Sequence, residues 1–441
     1  MRKLTNLLAI TLLGSCATAF AQSDETLSAA EKSAEIYASG YEKFRFGGYG
    51  EILANFMDYG INRYYGGDNG NSKTNRNSIS IPRFVLAFDY KFNSKWILGA
   101  EIEFEAGGVG TAYELENTEN GEYETEIEKG GEVALEQFHI TRLIHPTFNV
   151  RVGHLIVPVG LTNEHHEPIN FFGTSRPEGE TTLLPSTWHE NGIEVFGTFG
   201  RGYTRFSYEA LVVAGLNACG FSRDQWVAGG KQGIFETDNF TSPAYVGRLN
   251  YQGVPGLKIG ASFYYCNNVG ANSDKLQSFS GVKSALKIYT ADFQYKNKYV
   301  TARGNMIYGD LNNSEALDKY IINQSNKSPY SRLTPVAQNA VSYGGEVGVN
   351  LHSIFKDNKK VPVIYPFVRY EYYNPQEDGE GRQVMDLRAK VGMWTAGANW
   401  YALPNLVVKA DYTTRRIGDG KYNSENEFSL AVAYVGWFLS K

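Results

Sequence analysis

The chain has 441 residues, a formal net charge of -5 and an aromatic content of 14%, with 30 Tyr against 6 Trp. This mild acidity gives no electrostatic basis for binding nucleic acid. The mean hydropathy of -0.35 excludes a bundle of membrane helices. The length would indicate two or three globular domains, unless the chain forms one large β-barrel.

Residues 1–21 have the organisation of a secretory signal peptide. A basic tip, Met1-Arg2-Lys3, precedes an apolar run over 4–20 and a small-residue cleavage site at Ala19-Phe20-Ala21. A lipoprotein signal at Cys16 is the alternative, but Ser15 is a poor match before a lipid-bearing Cys. Residues 22–43 are rich in Ala, Glu and Ser, and we expect a short periplasmic segment there, either helical or disordered.

Beyond this segment, polar and apolar residues alternate in about sixteen stretches, which predicts membrane-spanning β-strands. Segment 96–106 is the clearest, because Leu98, Ile102 and Phe104 share one face whereas carboxylates occupy the other. Three carboxylates on one face require water or basic partners. The other stretches lie, in chain order, near 45–57, 83–92, 133–142, 148–158, 193–199, 204–214, 244–252, 257–265, 286–296, 299–308, 341–351, 366–373, 390–401, 406–415 and 428–438.

The connections between these stretches are alternately short and long. Tight turns are predicted at 93–95, 145–147, 200–202, 253–256 and 297–298, and long loops at 107–132, 159–191, 215–242, 266–285 and 309–339. One tight rim and one elaborate rim are typical of an up-and-down outer-membrane barrel. We therefore predict an all-β fold, a transmembrane antiparallel up-and-down β-barrel of about 16 strands, over residues 44–441.

The last stretch predicts how the barrel closes. Phe428, Leu430, Val432 and Tyr434 alternate with small residues, and Phe438 lies three residues from the end of the sequence. A strand here can pair with the first strand and remove the open edges. Both termini then lie on the short-turn side, which we expect to be periplasmic, with the long loops extracellular.

Two cysteines, Cys219 and Cys266, follow the predicted signal peptide. Both fall in long loops that flank one hairpin, so a disulfide is possible in an oxidising compartment. Two unpaired thiols at strand ends are the alternative, and sequence cannot decide connectivity.

The run from Arg151 to Glu164, RVGHLIVPVGLTNE, resembles the R-x-G-x-x-x-x-P-x-G-x-x-x-E stretch of the phosphate-selective porin O/P family. Residues 174–178 (TSRPE) and 192–197 (GIEVFG) lie where that family has its inward-folding third loop and the following strand. The resemblance implies a sixteen-stranded, usually trimeric porin that admits small solutes, often anions. The arginines predicted to face the lumen are interspersed with carboxylates, which departs from the family's arginine ladder.

The predicted loop 159–191 is too long for a simple connection, and loops of that length tend to be functional. Folded into the barrel, it would narrow the pore and set its selectivity. Its candidate constriction residues are Glu164, His165, His166, Glu167, Arg176, Glu178, His189 and Glu190. Candidate pore-wall residues are Arg83, Glu101, Glu103, Glu105, Arg151, Arg303, Arg369 and Asp411, for which we favour mutual bracing over filtering at most positions.

We considered a metal site at His165-His166-Glu167 with His189-Glu190, and predict none because adjacent residues on an extended segment point to opposite sides. No G-x-S-x-G or H-E-x-x-H motif is present, so we predict neither an enzyme nor a cofactor. The expected function is passive diffusion of small hydrophilic solutes or inorganic ions, with anions such as phosphate as candidates, through a homotrimer in outer-membrane lipid. A plugged or gated transporter of a specific substrate is the alternative, followed by a barrel-embedded hydrolase.

Overall fold

The computed structural model describes residues 43–59, 75–117, 123–232, 237–273, 281–325, 335–356, 358, 360–418 and 423–440. The predicted signal peptide, with Cys16, and nearly all of the predicted periplasmic segment 22–43 lie outside these residues. The strands are β1 (Phe44–Met57), β2 (Arg76–Ser80 and Arg83–Asn93), β3 (Trp96–Asn117), β4 (Tyr123–His145), β5 (Phe148–Ile156), β6 (His189–Phe199), β7 (Phe206–Val213), β8 (Ala244–Tyr251), β9 (Leu257–Cys266), β10 (Leu286–Lys296), β11 (Val300–Leu311), β12 (Asn339–Val349), β13 (Val363–Asp378), β14 (Val391–Leu403), β15 (Leu406–Ile417) and β16 (Ser424–Ser440).

Helices are short and lie in the connections. The α-helices are α1 (Glu178–Leu183), α2 (Ser314–Ser325) and α3 (Leu351–Ile354), and the 3-10 turns are Gly202–Thr204, Ala218–Gly220, Ala228–Gly230, Val269–Asn272 and Leu387–Ala389. Among the described residues, no helix is both long and apolar enough to cross a membrane.

Strand β2 is one strand in two segments. Its first segment pairs with 53–57 of β1 and its second with 44–50 of the same strand. The break falls at Ile81-Pro82, where Pro82 has no N–H to give to the ladder. The Pro82 carbonyl still accepts the N–H of Ala106 at 3.1 Å. Counted in this way, the sheet has sixteen strands.

The sheet closes on itself. Each strand is antiparallel to its neighbours along the chain, and β1 pairs with β16 from Arg45↔Ser440 to Met57↔Glu427. The predicted fold class, an antiparallel up-and-down barrel of about 16 strands, is confirmed. Closure provides ladder partners for the strand edges, which is a requirement for spanning a membrane with strands. Both described ends lie at the rim of the tight turns.

The two faces of the wall differ in polarity. On β16, Phe428, Leu430 and Val432 are exposed on the outside, whereas the alternating Ser429, Ala431 and Ala433 are buried inside. The same division recurs around the barrel. Buried inward-facing polar side chains include Glu51, Glu101, Glu103, Arg248, Asp292, Arg303, Glu346, Arg369 and Lys409.

Part of one predicted loop is strand. The sequence predicts a connection over 107–132, but β3 continues to Asn117 and pairs with β4 down to Tyr123. The register slips between Glu105 and Gly110, where Gly107 and Gly108 adopt positive φ values of 86° and 102°. A hairpin arm that extends past the neighbouring strands need not face lipid, so its strands need not show the apolar alternation on which the prediction relied.

Candidate functional site

The connection between β5 and β6, residues 157–188, is called here the lumen loop. The loop predicted from the sequence spans 159–191, whereas β6 already begins at His189, so His189 and Glu190 belong to the wall. The loop turns at Gly160, whose φ is +89°. A Cβ there would clash with the Glu180 carboxylate, and the positive φ also disfavours other residues, so this position requires glycine.

Glu180 organises the first part of the lumen loop. Its carboxylate accepts the backbone N–H groups of Leu161 at 3.1 Å and Asn163 at 2.8 Å. The side chain of Asn305, on β11, donates to the same carboxylate at 2.5 Å. One buried carboxylate therefore folds the loop and fixes it to the wall.

Three charged residues in register on adjacent strands form a second attachment. Arg303 on β11 is paired with Glu346 on β12, which is paired with Arg369 on β13. The Glu346 carboxylate lies 2.5 Å from Arg303 Nε and 2.7 Å from Arg369 Nη2. The backbone N–H of Phe172 donates to the same carboxylate at 3.0 Å. A charged wall cluster thus binds the backbone of the lumen loop.

Strand β15 contributes a further attachment. Lys409 Nζ donates to the carbonyl oxygens of Phe171 at 2.7 Å and Gly173 at 2.8 Å. Asp411 accepts the N–H of Thr174 at 2.6 Å. The ammonium also lies 4.2 Å from the centre of the Phe171 ring, within the range of a cation–π contact.

Glu164 and His165 of the lumen loop contact β8 and β9. Arg248 on β8 lies 2.8 Å from Glu164 of the loop and 2.9 Å from Asp292 on β10. The His165 ring lies 3.4 Å from Lys258 Nζ on β9. Further along the loop, at the start of α1, Glu178 pairs with Arg415 on β15 at 2.7 Å.

The candidate constriction residues divide into two groups by exposure. Glu164, His165, His166, Glu167, His189 and Glu190 are at most 6% exposed. Arg176 and Glu178 are partly exposed, and Ser175 beside them is exposed. Arg176 donates to the carbonyl of His166 at 3.1 Å and to the Ser186 hydroxyl at 2.9 Å. Among the candidate constriction residues, Arg176 and Glu178 are therefore the ones that water reaches most easily.

The candidate wall residues also form pairs. Arg83 lies 3.2 Å from Glu51 and 4.0 Å from Glu103, and Arg151 lies 3.3 Å from Glu194. Arg303 and Arg369 pair with Glu346, and Asp411 binds the backbone of Thr174 in the lumen loop, as described above. Glu105 is exposed at the end of the barrel part of β3, whereas Glu101 is buried close to Glu136 and His166.

The lumen also contains an apolar core that the sequence analysis missed. It is built on inward-facing positions such as Leu211, Val213, Ile288 and Ile307, near the long-loop ends of their strands. From the loops, Trp188 and Trp226 enter it fully buried. An apolar inner face confined to these strand ends was the signal that could have revealed it.

Cys219 and Cys266 do not form a disulfide with each other. Cys266 is buried and Cys219 partly buried, and both take part in or pack against this apolar core. Cys219 Sγ lies 2.7 Å from the Ser273 hydroxyl, and Cys266 Sγ lies 3.6 Å from the Ser242 hydroxyl.

The adjacent histidines of the lumen loop point to different parts of the wall. His165 lies toward Lys258 on β9, whereas His166 packs against Tyr49 on β1 with ring centres 5.8 Å apart. His166 also meets Glu101 on β3 and Glu136 on β4, and one ligand atom from each lies within 4.8 Å of the others. Among the described residues, Glu101, Glu136 and His166 are placed so that their donor atoms could hold a metal ion.

Comparison with known proteins identifies the fold. No family model matches the chain. An uncharacterized protein of Aquifex aeolicus (strain VF5) is 27% identical over 352 residues, which cover 78% of this chain and 72% of that protein.

Three solved structures share the fold at low sequence identity. An anion-selective porin from Comamonas acidovorans has a TM-score of 0.52 at 9% identity, covering 89% of this chain and 99% of the porin. OmpF of Salmonella typhi, in a complex with daunomycin, gives 0.53 at 10% identity with 89% and 97% covered. The outer-membrane channel DcaP of Acinetobacter baumannii gives 0.50 at 12% identity with 90% and 99% covered. The chain therefore has the fold of outer-membrane porin channels.

Proposed function

We propose that this protein is an outer-membrane porin for passive diffusion of small hydrophilic solutes and ions. The observation that carries the proposal is the separation of faces in a closed barrel. Outward positions such as Leu430 and Val432 are apolar and exposed, whereas charged groups occupy the inner wall. Such a wall supplies polar groups and water to a solute that would otherwise have to cross hydrocarbon.

We expect a narrow pore, because the lumen loop is attached to the wall on several sides. Its contacts include β8, β9, β11, β12, β13 and β15, and it also reaches Tyr49 on β1 and Glu136 on β4. The aqueous route passes Arg176 and Glu178, which are the partly exposed candidate constriction residues. We therefore expect only small solutes to pass.

We expect a weak charge preference. Arg303 and Arg369 share Glu346, and Arg248 is held between two carboxylates. Paired guanidinium groups offer little net charge to a passing anion. Phosphate specificity therefore has no support from these contacts, although the sequence resemblance keeps inorganic anions as candidate solutes.

The remaining parts of the proposal concern the setting. The barrel lies in the outer membrane of a Gram-negative-type cell as a homotrimer, with periplasmic termini and extracellular long loops. The start of the first strand and the end of the last strand meet at the short-turn rim, which is the arrangement of bacterial outer-membrane barrels.

A gated transporter is the second candidate, and one observation favours it. Six of the eight candidate constriction residues are at most 6% exposed, and the apolar core occupies part of the lumen. In that case the lumen loop would have to move before a substrate could pass.

Single-channel recording in planar bilayers tests both candidates. The test variant lacks residues 165–176, with two glycines joining the ends. The matched control lacks residues 115–126, an equal length of the β3–β4 hairpin arm, again joined by two glycines. A porin conducts without a gating stimulus, and we expect a several-fold higher conductance in the first variant only.

The outcomes separate the alternatives. A silent native protein with a conducting loop deletion would favour the gated transporter. Silence of both, with a heat-modifiable gel shift showing that each barrel is folded, would overturn the porin proposal. Equal conductance of the native protein and the loop deletion would remove the lumen loop from the constriction.

A further inference from the structure

We propose that Glu101, Glu136 and His166 bind a divalent transition-metal ion of the Zn²⁺ type, which ties the lumen loop to the β3–β4 wall. The two carboxylates come from adjacent strands, and the imidazole comes from the loop. One ligand atom from each residue lies within 4.8 Å of the other two. Two carboxylates and an imidazole are common Zn²⁺ ligands, and three protein ligands leave one position for water.

The histidine is in the required tautomeric form. His166 Nδ1 lies 3.0 Å from the carbonyl oxygen of Asn163. A carbonyl can only accept, so Nδ1 carries the proton, and in the neutral imidazole Nε2 carries the lone pair. Metal-binding histidines usually donate their other N–H to such an oxygen, which orients the ring.

The Glu136 carboxylate has an oxygen available to a cation. Glu136 is 3% exposed, and its Oε1 accepts from Thr187. Its Oε2 has no hydrogen-bond donor among the described residues. The nearby guanidinium of Arg83 pairs with Glu51 and Glu103, and within the described chain neither Glu101 nor Glu136 forms a salt bridge. A buried carboxylate oxygen without a donor is costly, and a bound cation would offset that cost.

An ion could reach the site from the short-turn side. A cavity lined by Asp89, Gly99, Glu101, Gln137 and Trp437 adjoins the first ligand. Its acidic groups would favour the entry of a cation. The imidazole argues against Ca²⁺ and Mg²⁺, which prefer all-oxygen surroundings.

The site complements the attachments already described. Strands β3 and β4 lie across the sixteen-stranded barrel from β11 and β12, which carry Arg303 and Glu346. The metal would attach the lumen loop to this opposite side. The binding claim does not depend on the porin proposal, although its effect on conductance does.

Isothermal titration calorimetry tests the proposal. Zn²⁺ is titrated into the purified, folded barrel in detergent. We expect one ion per chain, and at least a tenfold loss of affinity in Glu136→Gln and in His166→Ala. His145→Ala is the control, because His145 lies at the exposed 145–147 turn and contacts Thr147. X-ray absorption at the zinc edge should show one imidazole in the native protein and none in His166→Ala.

The absence of stoichiometric Zn²⁺ binding, or equal binding by both variants and the native protein, would overturn the proposal. Tight binding of Ca²⁺ or Mg²⁺ in preference to Zn²⁺ would also contradict it. The heat-modifiable gel shift shows that each variant is folded, so loss of binding is not misread. If Zn²⁺ binds but conductance is absent throughout, the metal site stands and the porin proposal fails.

Discussion

Several buried charged residues on the inner wall bind the backbone of the lumen loop. Glu346 receives two guanidinium groups and one backbone N–H, and Lys409 donates to two backbone carbonyls. Breaking a buried pair by removing one partner leaves an uncompensated charge, which destabilises far more than loss of a surface pair. The contribution of each residue can therefore be tested one at a time.

Glu346→Ala should lower the free energy of unfolding by about 3–5 kcal/mol, because both Arg303 and Arg369 lose their shared carboxylate. It should also raise conductance, since Phe172 loses its acceptor on the wall. Denaturant unfolding in lipid vesicles measures the first effect and bilayer recording the second.

Asp310→Ala provides the comparison, because Asp310 pairs with Lys287 at 3.1 Å in a partly exposed position. That substitution should cost about 0.2–1 kcal/mol. Equal losses in the two variants would contradict the anchoring role of Glu346.

At the scale of elements, the strands could be predicted from the sequence, because a membrane requires their outward side chains to be apolar. Outward positions such as Phe428 and Val432 must be apolar, so strand existence and the closing strand could be predicted. The docking of the lumen loop could not, because Phe172 and Glu346 are 174 residues apart. Adjacent acidic and basic wall residues suggested bracing of the wall, but not that the braced carboxylates also bind loop amides.

The helix α2 forms in a predicted loop and is held by Asp318. This carboxylate accepts the N–H of Val336 at 2.7 Å and a donor from Gln383. Burial raises the pKa of Asp318 to about 6, against about 3.9 for an ordinary Asp. The folded state thus holds this proton more tightly, so the stabilisation is present below about pH 4 and is lost as pH rises through about 6.

Hydrogen exchange should therefore show stronger protection of α2 at pH 4.5 than at pH 7.5, after correction for intrinsic exchange. Asp318→Asn should remove the difference, because the asparagine amide oxygen still accepts from Val336 without titrating. Glu315→Gln, in the first turn of the same helix, should keep it. A pH dependence that persists in Asp318→Asn would assign it to another group.

For the whole molecule, closure and polarity together determine where the barrel can exist. The β1–β16 pairing leaves the outer surface as one continuous apolar wall, on which Val432 faces outward in the middle of β16. A charge there would face hydrocarbon if the barrel spans a membrane, but water if the barrel is not inserted. The same substitution near a rim would lie at the interface in either case.

Val432→Arg should destabilise the inserted barrel by about 2–4 kcal/mol, as expected for arginine at the bilayer midplane. Ile144→Arg, beside the 145–147 turn and also exposed, should cost about 0–1 kcal/mol because its side chain reaches the interface. Equilibrium unfolding from vesicles measures both changes. Equal effects would mean that depth in a membrane does not control the stability of this wall, and the proposed outer-membrane location would then be wrong.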